Sequence, residues 1–167
     1  MAESRKDIAV SLLVPVYNVE SYLEEALASA VGQTLQNIEI VCIDDGSTDG
    51  SSAILDAYAA RDKRMRVFHK ENGGYGKAMN LALELARGRY IAVLEPDDFM
   101  DEHMLADLYA LAENYRLDFV KSDFATVEGE PGDYQVTPTH IYWQAGMYGK
   151  VLSEAEKREL FRGYLAY

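Results

Sequence analysis

From residue 8 onward the sequence alternates short apolar runs with stretches of helical periodicity, and this most restricts what the chain can fold into. Ile8 to Val16 is an apolar run rich in Val, Leu and Ile, interrupted by Ser11 and Pro15, as a strand covered on both faces reads. Glu20 to Val31 places Tyr22, Leu23, Ala26, Leu27, Ala30 and Val31 on one helical stripe. The same alternation gives a strand at Ile38 to Ile43, a helix at Ser51 to Ala60, a strand at Arg66 to His69 and a helix at Tyr75 to Ala86 stopped by Gly88. It continues with a strand at Tyr90 to Leu94, a helix at Phe99 to Tyr115 and a fifth strand at Phe119 to Lys121. Strict alternation with buried-type strands predicts an α/β fold, a Rossmann-like, mostly parallel twisted sheet with helices on both faces. In such sheets ligands sit beyond the carboxyl ends of the strands, so the residues after each strand carry the functional information.

Beyond Phe124 the pattern fades. Val127 to Pro138 holds Gly129, Pro131 and Gly132 and reads as an irregular excursion. Ser153 to Tyr167 reads as a fresh helix opened by a Ser153/Glu156 capping box, and it reaches the last residue with no stop signal. The expectation is one α/β domain over residues 8–124, followed at 125–167 by the start of a further region.

The net charge is −12, with 28 acidic against 16 basic residues. That balance argues against a nucleic-acid partner, whose phosphates need clustered Lys and Arg. It suits a site that holds a divalent cation on carboxylate oxygens. Cys42 is alone, in an apolar run, and reads as a small buried hydrophobe of a reducing compartment. No apolar run approaches the ~20 residues that cross a bilayer. The expected location is cytoplasmic, with peripheral membrane contact left to regions outside this sequence. His69, His103 and His140 are scattered and read as surface or packing residues; Trp143, with Tyr142 and Tyr148, reads as a loop anchor.

The strand ends are polar. They read Val14-Pro15-Val16-Tyr17-Asn18, Asp44-Asp45-Gly46-Ser47-Thr48-Asp49, Glu71-Asn72-Gly73-Gly74-Tyr75-Gly76-Lys77 and Glu95-Pro96-Asp97-Asp98. In parallel strands these four segments meet on one edge. Asp45 to Asp49 suits a turn and helix N-cap. Asp97 or Asp98 suits a cap for the next helix, but one cap needs one carboxylate. Glu95, Asp97 and Asp98 crowd three acids into four residues, where like charges raise one another's pKa and a cation relieves them. Mg²⁺ or Mn²⁺ is held by one or two carboxylates plus substrate phosphates, so the cluster points to a phosphate-bearing ligand. Gly73, Gly74 and Gly76 allow close backbone approach ahead of a helix N-terminus. The dinucleotide fingerprint is absent, since Met79 stands where its third glycine would be. Lys77 and Asn80 share a helix face within reach of a diphosphate or sugar; an ordinary surface lysine is the competing reading.

At these residues the chain resembles the family 2 inverting glycosyltransferases of the GT-A fold, over about residues 8 to 124. The matching segments are Val14 to Asn18, Ile43 to Ser51, Glu71 to Gly74 and Gly88 through Asp98, in order and at fitting spacing. The resemblance implies transfer of a sugar from a nucleoside diphosphate-sugar, typically a UDP-sugar, to a glycan or lipid-linked hydroxyl acceptor. It implies a base and ribose pocket lined by Pro15 and Tyr17, with Asn18 beside them, and a hydrogen bond from the nucleobase to Asp45. It further implies donor contacts from Gly74, Lys77, Asn80 and Glu95, Asp97 facing ribose or metal, and Asp98 on a Mn²⁺ or Mg²⁺ cofactor. Glu95 stands where the family often has Asp, and Met79 where many members have Arg; Lys77 is the candidate replacement for that charge. The family's catalytic base lies in the acceptor-binding half, and no residue between Phe124 and Tyr167 matches it, so the base is expected beyond Tyr167.

The rival reading is a nucleotide-binding module without turnover; a reading frame continuing past Tyr167 with an acidic pair would decide for the enzyme. A phosphorelay receiver would need its acid pair after the first strand, where Pro15-Val16-Tyr17 stands. A sugar nucleotidyltransferase would need a Gly- and Arg-rich loop there.

Overall fold

The computed structural model describes residues 8–129, 133–139 and 153. The chain divides into two compact units, Met1–Ala110 and Leu111–Tyr167.

The first unit contains strands β1 (Val10–Val16), β2 (Ile38–Asp44), β3 (Met65–His69) and β4 (Tyr90–Val93), and helices α1 (Glu20–Val31), α2 (Ser51–Ala59) and α3 (Tyr75–Leu85). The four strands form one sheet in the order β3-β2-β1-β4, every pairing parallel. The expected α/β class and its parallel sheet are thus observed. Alternate residues of β1 and β2 serve two separate cores. Leu12, Val14, Val16, Ile40 and Cys42 pack with Leu23, Ala26 and Leu27 of α1, Leu55 of α2 and Leu105. Leu13, Val41 and Ile43 pack on the other face with Ala78 and Ala82 of α3. Burial pushes the Cys42 thiol up to about 12, so it is inert packing.

β2 continues β1 on one side and β4 joins it on the other, so the strand order reverses between β1 and β4. The β1–β2 ladder runs to Val16↔Asp44, whereas the β1–β4 ladder stops at Leu13↔Val93. The Leu94 N–H donates to the Leu13 carbonyl, so odd-numbered β1 residues direct their backbone groups toward β4. Pro15 therefore has its missing N–H on the side where β4 has ended. This is how a central strand accommodates proline, and it marks the crevice at the switch point.

At the opposite end of the sheet, the buried Glu39 carboxylate takes hydrogen bonds from Ser11 Oγ (2.6 Å), Arg66 Nη1 (2.8 Å) and the Arg87 N–H (2.6 Å). Arg66 also caps the Leu85 carbonyl at 2.9 Å, tying the end of α3 to the sheet.

Three expectations are corrected. The fourth helix, α4, spans Met104–Tyr115 rather than starting at Phe99. The backbone ahead of it is held elsewhere: Met100 donates to Ser29 Oγ, and the carbonyls of Asp101 and Glu102 accept from Gln33 Nε2 and from Thr34. Gln33, itself fully buried, then accepts the Leu105 N–H at 3.1 Å. Phe119 to Lys121 is not a strand. Instead, the second unit carries an antiparallel pair, β5 (Phe124–Glu128) and β6 (Gln135–Thr139), across the segment read as irregular. Gly129 (φ 123°) follows β5 with a backbone conformation that favours glycine. His140, Tyr142, Trp143, Tyr148 and the helix expected after Ser153 lie outside the described residues. No helix among the described residues is long and apolar enough to cross a membrane.

Candidate functional site

All four strands point the same way, so their following segments gather on one rim. At the end of β1, Tyr17 is half exposed and Asn18 adopts φ 52°, a left-handed geometry asparagine tolerates. Asn18 is bound into the neighbouring turn: its N–H donates to Ser47 Oγ (3.1 Å) and its Oδ1 accepts from the Thr48 N–H (2.8 Å). The starts of α1 and α2 cap one another. Asp49 accepts from the N–H groups of Glu20 (3.1 Å) and Ser51 (3.0 Å), and Glu20 accepts from the Gly50 N–H. The capping expected of this turn is therefore present, delivered by Asp49.

Asp44 and Asp45 are adjacent at the end of β2, both buried, and face different partners. Asp44 accepts from the Ser47 N–H (2.9 Å), from Ser52 Oγ (2.5 Å) and from His69 Nδ1 (2.7 Å). Burial pushes its carboxyl up, but these hydrogen bonds outweigh it and hold the pKa at about 2. Asp45 accepts from the Gly73 N–H (3.0 Å), the Gly74 N–H (2.7 Å) and Lys70 Nζ. Burial opposes ionisation there too, and Lys70 and the two amides override it, leaving the carboxyl below its ordinary value. Gly46 (φ 75°) brings this turn against the segment that follows β3: a Cβ there would stand 2.7 Å from the Asn72 nitrogen.

The segment after β3 is thereby fastened to β2. Gly74 (φ 87°) opens α3, and a Cβ at Gly73 would lie 2.9 Å from Lys77 Cδ and 3.0 Å from Lys70 Nζ. Two lysines thus converge over a glycine loop at a helix N-terminus, an arrangement favourable to anions. Asn80 is exposed on the same helix.

Past β4, Pro96 is buried while Asp97 and Asp98 are exposed, on a turn closed by the Asp98 N–H to the Glu95 carbonyl (3.0 Å). These acids do not cap α4, which starts further on. Partial desolvation and then the charges of Asp97 and Glu95 raise the Asp98 pKa, as expected for crowded carboxylates. Glu95 is held from outside its turn, because the Tyr75 hydroxyl donates to Oε1 at 2.6 Å and so links the glycine loop to the acidic turn.

Among the described residues no group of three or more His, Cys, Asp or Glu is arranged to hold a metal by itself. With Glu95 committed to Tyr75, the donor set on this turn is the two hard carboxylates of Asp97 and Asp98. That set fits Mg²⁺ or Mn²⁺ completed by phosphate oxygens, and it does not fit a closed protein-only metal cage.

Of the residues singled out in the sequence, Asp45 and Gly74 are in direct contact, and Glu95, Asp97 and Asp98 share one turn. Pro15 is buried in β1 beside the crevice, and Tyr17, Lys77 and Asn80 are exposed. Lys70 and Tyr75 were not singled out, and His69, read as a surface or packing residue, is instead hydrogen-bonded between Asp44 and Asp56. Their hydrogen bonds join segments distant in the chain, and no local pattern marks them.

The sequence profile described as Glycosyl transferase family 2 matches residues 11–163. The glycosyltransferase GlyG of Streptococcus pneumoniae is 39% identical over 126 residues, covering 75% of this chain and 42% of that protein. Among solved structures, S. aureus TarS in complex with UDP-GlcNAc superposes with a TM-score of 0.61 at 34% identity, over 65% of this chain and 32% of that one. A mannosyltransferase from Pyrobaculum calidifontis in complex with GDP-Man and Mn²⁺ gives a TM-score of 0.58 at 26% identity, covering 62% of this chain and 32% of the other. The chain thus spans less than half the length of each of these proteins.

Proposed function

The chain belongs to glycosyl transferase family 2, and from that premise we propose that its rim binds the nucleoside diphosphate portion of a sugar donor, a UDP-sugar, for inverting transfer to a glycan or lipid-linked hydroxyl. The observation that carries this reading is the meeting of three features on one sheet edge. They are the switch-point crevice beside Pro15, the Asp45-fastened glycine loop and the Asp97/Asp98 turn. The UDP-GlcNAc bound to TarS and the GDP-Man and Mn²⁺ bound to the mannosyltransferase support the ligand class.

In this reading Tyr17 and Pro15 flank the base and ribose, with Asn18 shaping the turn beside them. Asp45 offers its remaining acceptor capacity to the nucleobase. The Gly74 end of α3, with Lys77 and Asn80, faces the diphosphate or sugar. Asp98, with Asp97, holds Mn²⁺ or Mg²⁺, and Glu95 keeps the turn in place. When bound, the cation neutralises charge on the departing diphosphate. The acceptor oxygen attacks the anomeric carbon as the bond to the diphosphate breaks, and the hydroxyl proton passes to a general base. None of the described residues is assigned that role. Residues 8–124 form the donor-binding portion in this reading, and 125–167 begin the acceptor side.

Calorimetry of UDP on this chain, with and without Mn²⁺, tests the proposal. Binding that strengthens with Mn²⁺ is expected. No UDP binding under either condition would overturn it.

A further inference from the structure

His69 closes β3 and lies between two carboxylates. Its Nδ1 is 2.7 Å from Asp44 Oδ2 and its Nε2 is 3.2 Å from Asp56 Oδ1 on α2. A neutral imidazole has one N–H, so its other nitrogen would turn a lone pair onto a carboxylate oxygen. Only the doubly protonated ring satisfies both contacts. The carboxylate that His69 grips is buried and also holds the rim: Asp44 Oδ1 accepts from the Ser47 N–H, and Oδ2 accepts from Ser52 near the start of α2.

We propose that His69 is a positioning residue of the rim, an imidazolium that clamps Asp44 to α2 and so holds the Asp45–Asp49 turn in the shape that receives the nucleotide. This rests on the nucleotide-binding reading of that rim. His69 does not touch the ligand region itself; it acts through Asp44, whose neighbour Asp45 fastens the glycine loop. Among the described residues, the charged groups acting on the ring are Asp44 from β2 and Asp56 from α2, while the adjacent Lys70 turns its ammonium to Asp45. The hydrogen bond to Asp44, opposed by burial and aided by Asp56, raises the His69 pKa above its ordinary value. A raised histidine pKa stabilises fully below the unfolded value of about 6.5 and loses that contribution as pH rises through the folded value.

The test is an NMR titration of the 167-residue chain from about pH 6 to about pH 8.5, spanning the histidine range. His69→Gln assigns the resonance, and Asp56→Asn, at an exposed position, removes one partner. The His69 midpoint is expected above the ordinary value and lower in Asp56→Asn, and the Ser47 amide is expected to shift with the same midpoint. UDP affinity is expected to fall about two- to fivefold across that midpoint, the range a partly exposed ion pair contributes, and the pH dependence is expected to flatten in both variants. A His69 midpoint at or below the ordinary value, or a Ser47 amide indifferent to it, would overturn the proposal. So would a UDP profile that keeps its pH dependence in His69→Gln. Intact Ser47 coupling without any UDP binding would instead count against the nucleotide reading and leave the hold of His69 on the turn standing.

Discussion

The backbone N–H of Gly74 donates to Asp45 Oδ2 at 2.7 Å, joining the turn after β2 to the N-cap residue of α3. Gly73 repeats the contact on Oδ1, and Lys70 covers the same carboxylate. One buried side chain thereby sets where the glycine loop stands.

Asp45→Asn keeps the shape but turns an amide NH₂ toward groups that are all donors. We expect a loss of about 1–3 kcal/mol in urea unfolding, the cost of a buried polar group left unmatched, together with weaker UDP binding. An unchanged denaturation midpoint would contradict the clasp.

Gly74 has φ 87° and ψ 159°, backbone that glycine alone adopts readily, and no atom lies within 4 Å of where a Cβ would stand. Gly74→Ala should therefore cost strain without a clash, about 1–3 kcal/mol. The same unfolding experiment measures it, and faster hydrogen exchange at the Gly73 and Gly74 amides should accompany it. A fully tolerated alanine would show that the loop does not need this conformation.

Asp44 links pH to stability on the acid side. Its folded pKa of about 2 lies below the ordinary aspartate value of about 3.9, so the stabilisation is present above about pH 4 and is lost as pH falls toward 2. Its size is about 2 kcal/mol from the shift. Stability measured against pH should steepen through that window in the native chain and flatten in Asp44→Asn; identical acid limbs would refute the assignment.

Asp98→Asn should remove the gain in UDP affinity that Mn²⁺ confers, and chelation of the metal should have the same effect on the native chain. Calorimetry in both arms reads it. A Mn²⁺ enhancement surviving the substitution would move the cation away from this turn.

Gln33→Leu keeps the volume but strands the Leu105 N–H and the Asp101 carbonyl. A cost of about 1–3 kcal/mol is expected, with loss of exchange protection at Leu105 before the rest of the sheet. Uniform protection would show that Gln33 does not anchor the start of α4.

The sheet was legible because burial writes a local pattern. Runs such as Leu12 to Val14 and Ile40 to Ile43 are apolar at every position since β1 and β2 are covered on both faces. The acidic turn was legible for a similar reason, as Glu95, Asp97 and Asp98 are neighbours in the chain. The start of α4 and the β5–β6 hairpin were read differently. The first depends on Gln33, 72 residues from the amide it holds. In the second, glycine and proline that punctuate a hairpin look like a break in structure.

The amino-acid order alone determined the alternation of elements from β1 through β4, the parallel sheet they form and hence which four segments share a rim, because periodicity and short connections leave few other arrangements. Tertiary structure decided what each polar group there does. It turned Asp45 toward amides 28 and 29 residues away, gave Asp44 to His69 at a separation of 25, and bound Glu95 to Tyr75 at a separation of 20. A hydrogen bond depends on where two atoms come to lie after the chain has packed, and residue type and spacing do not carry that information.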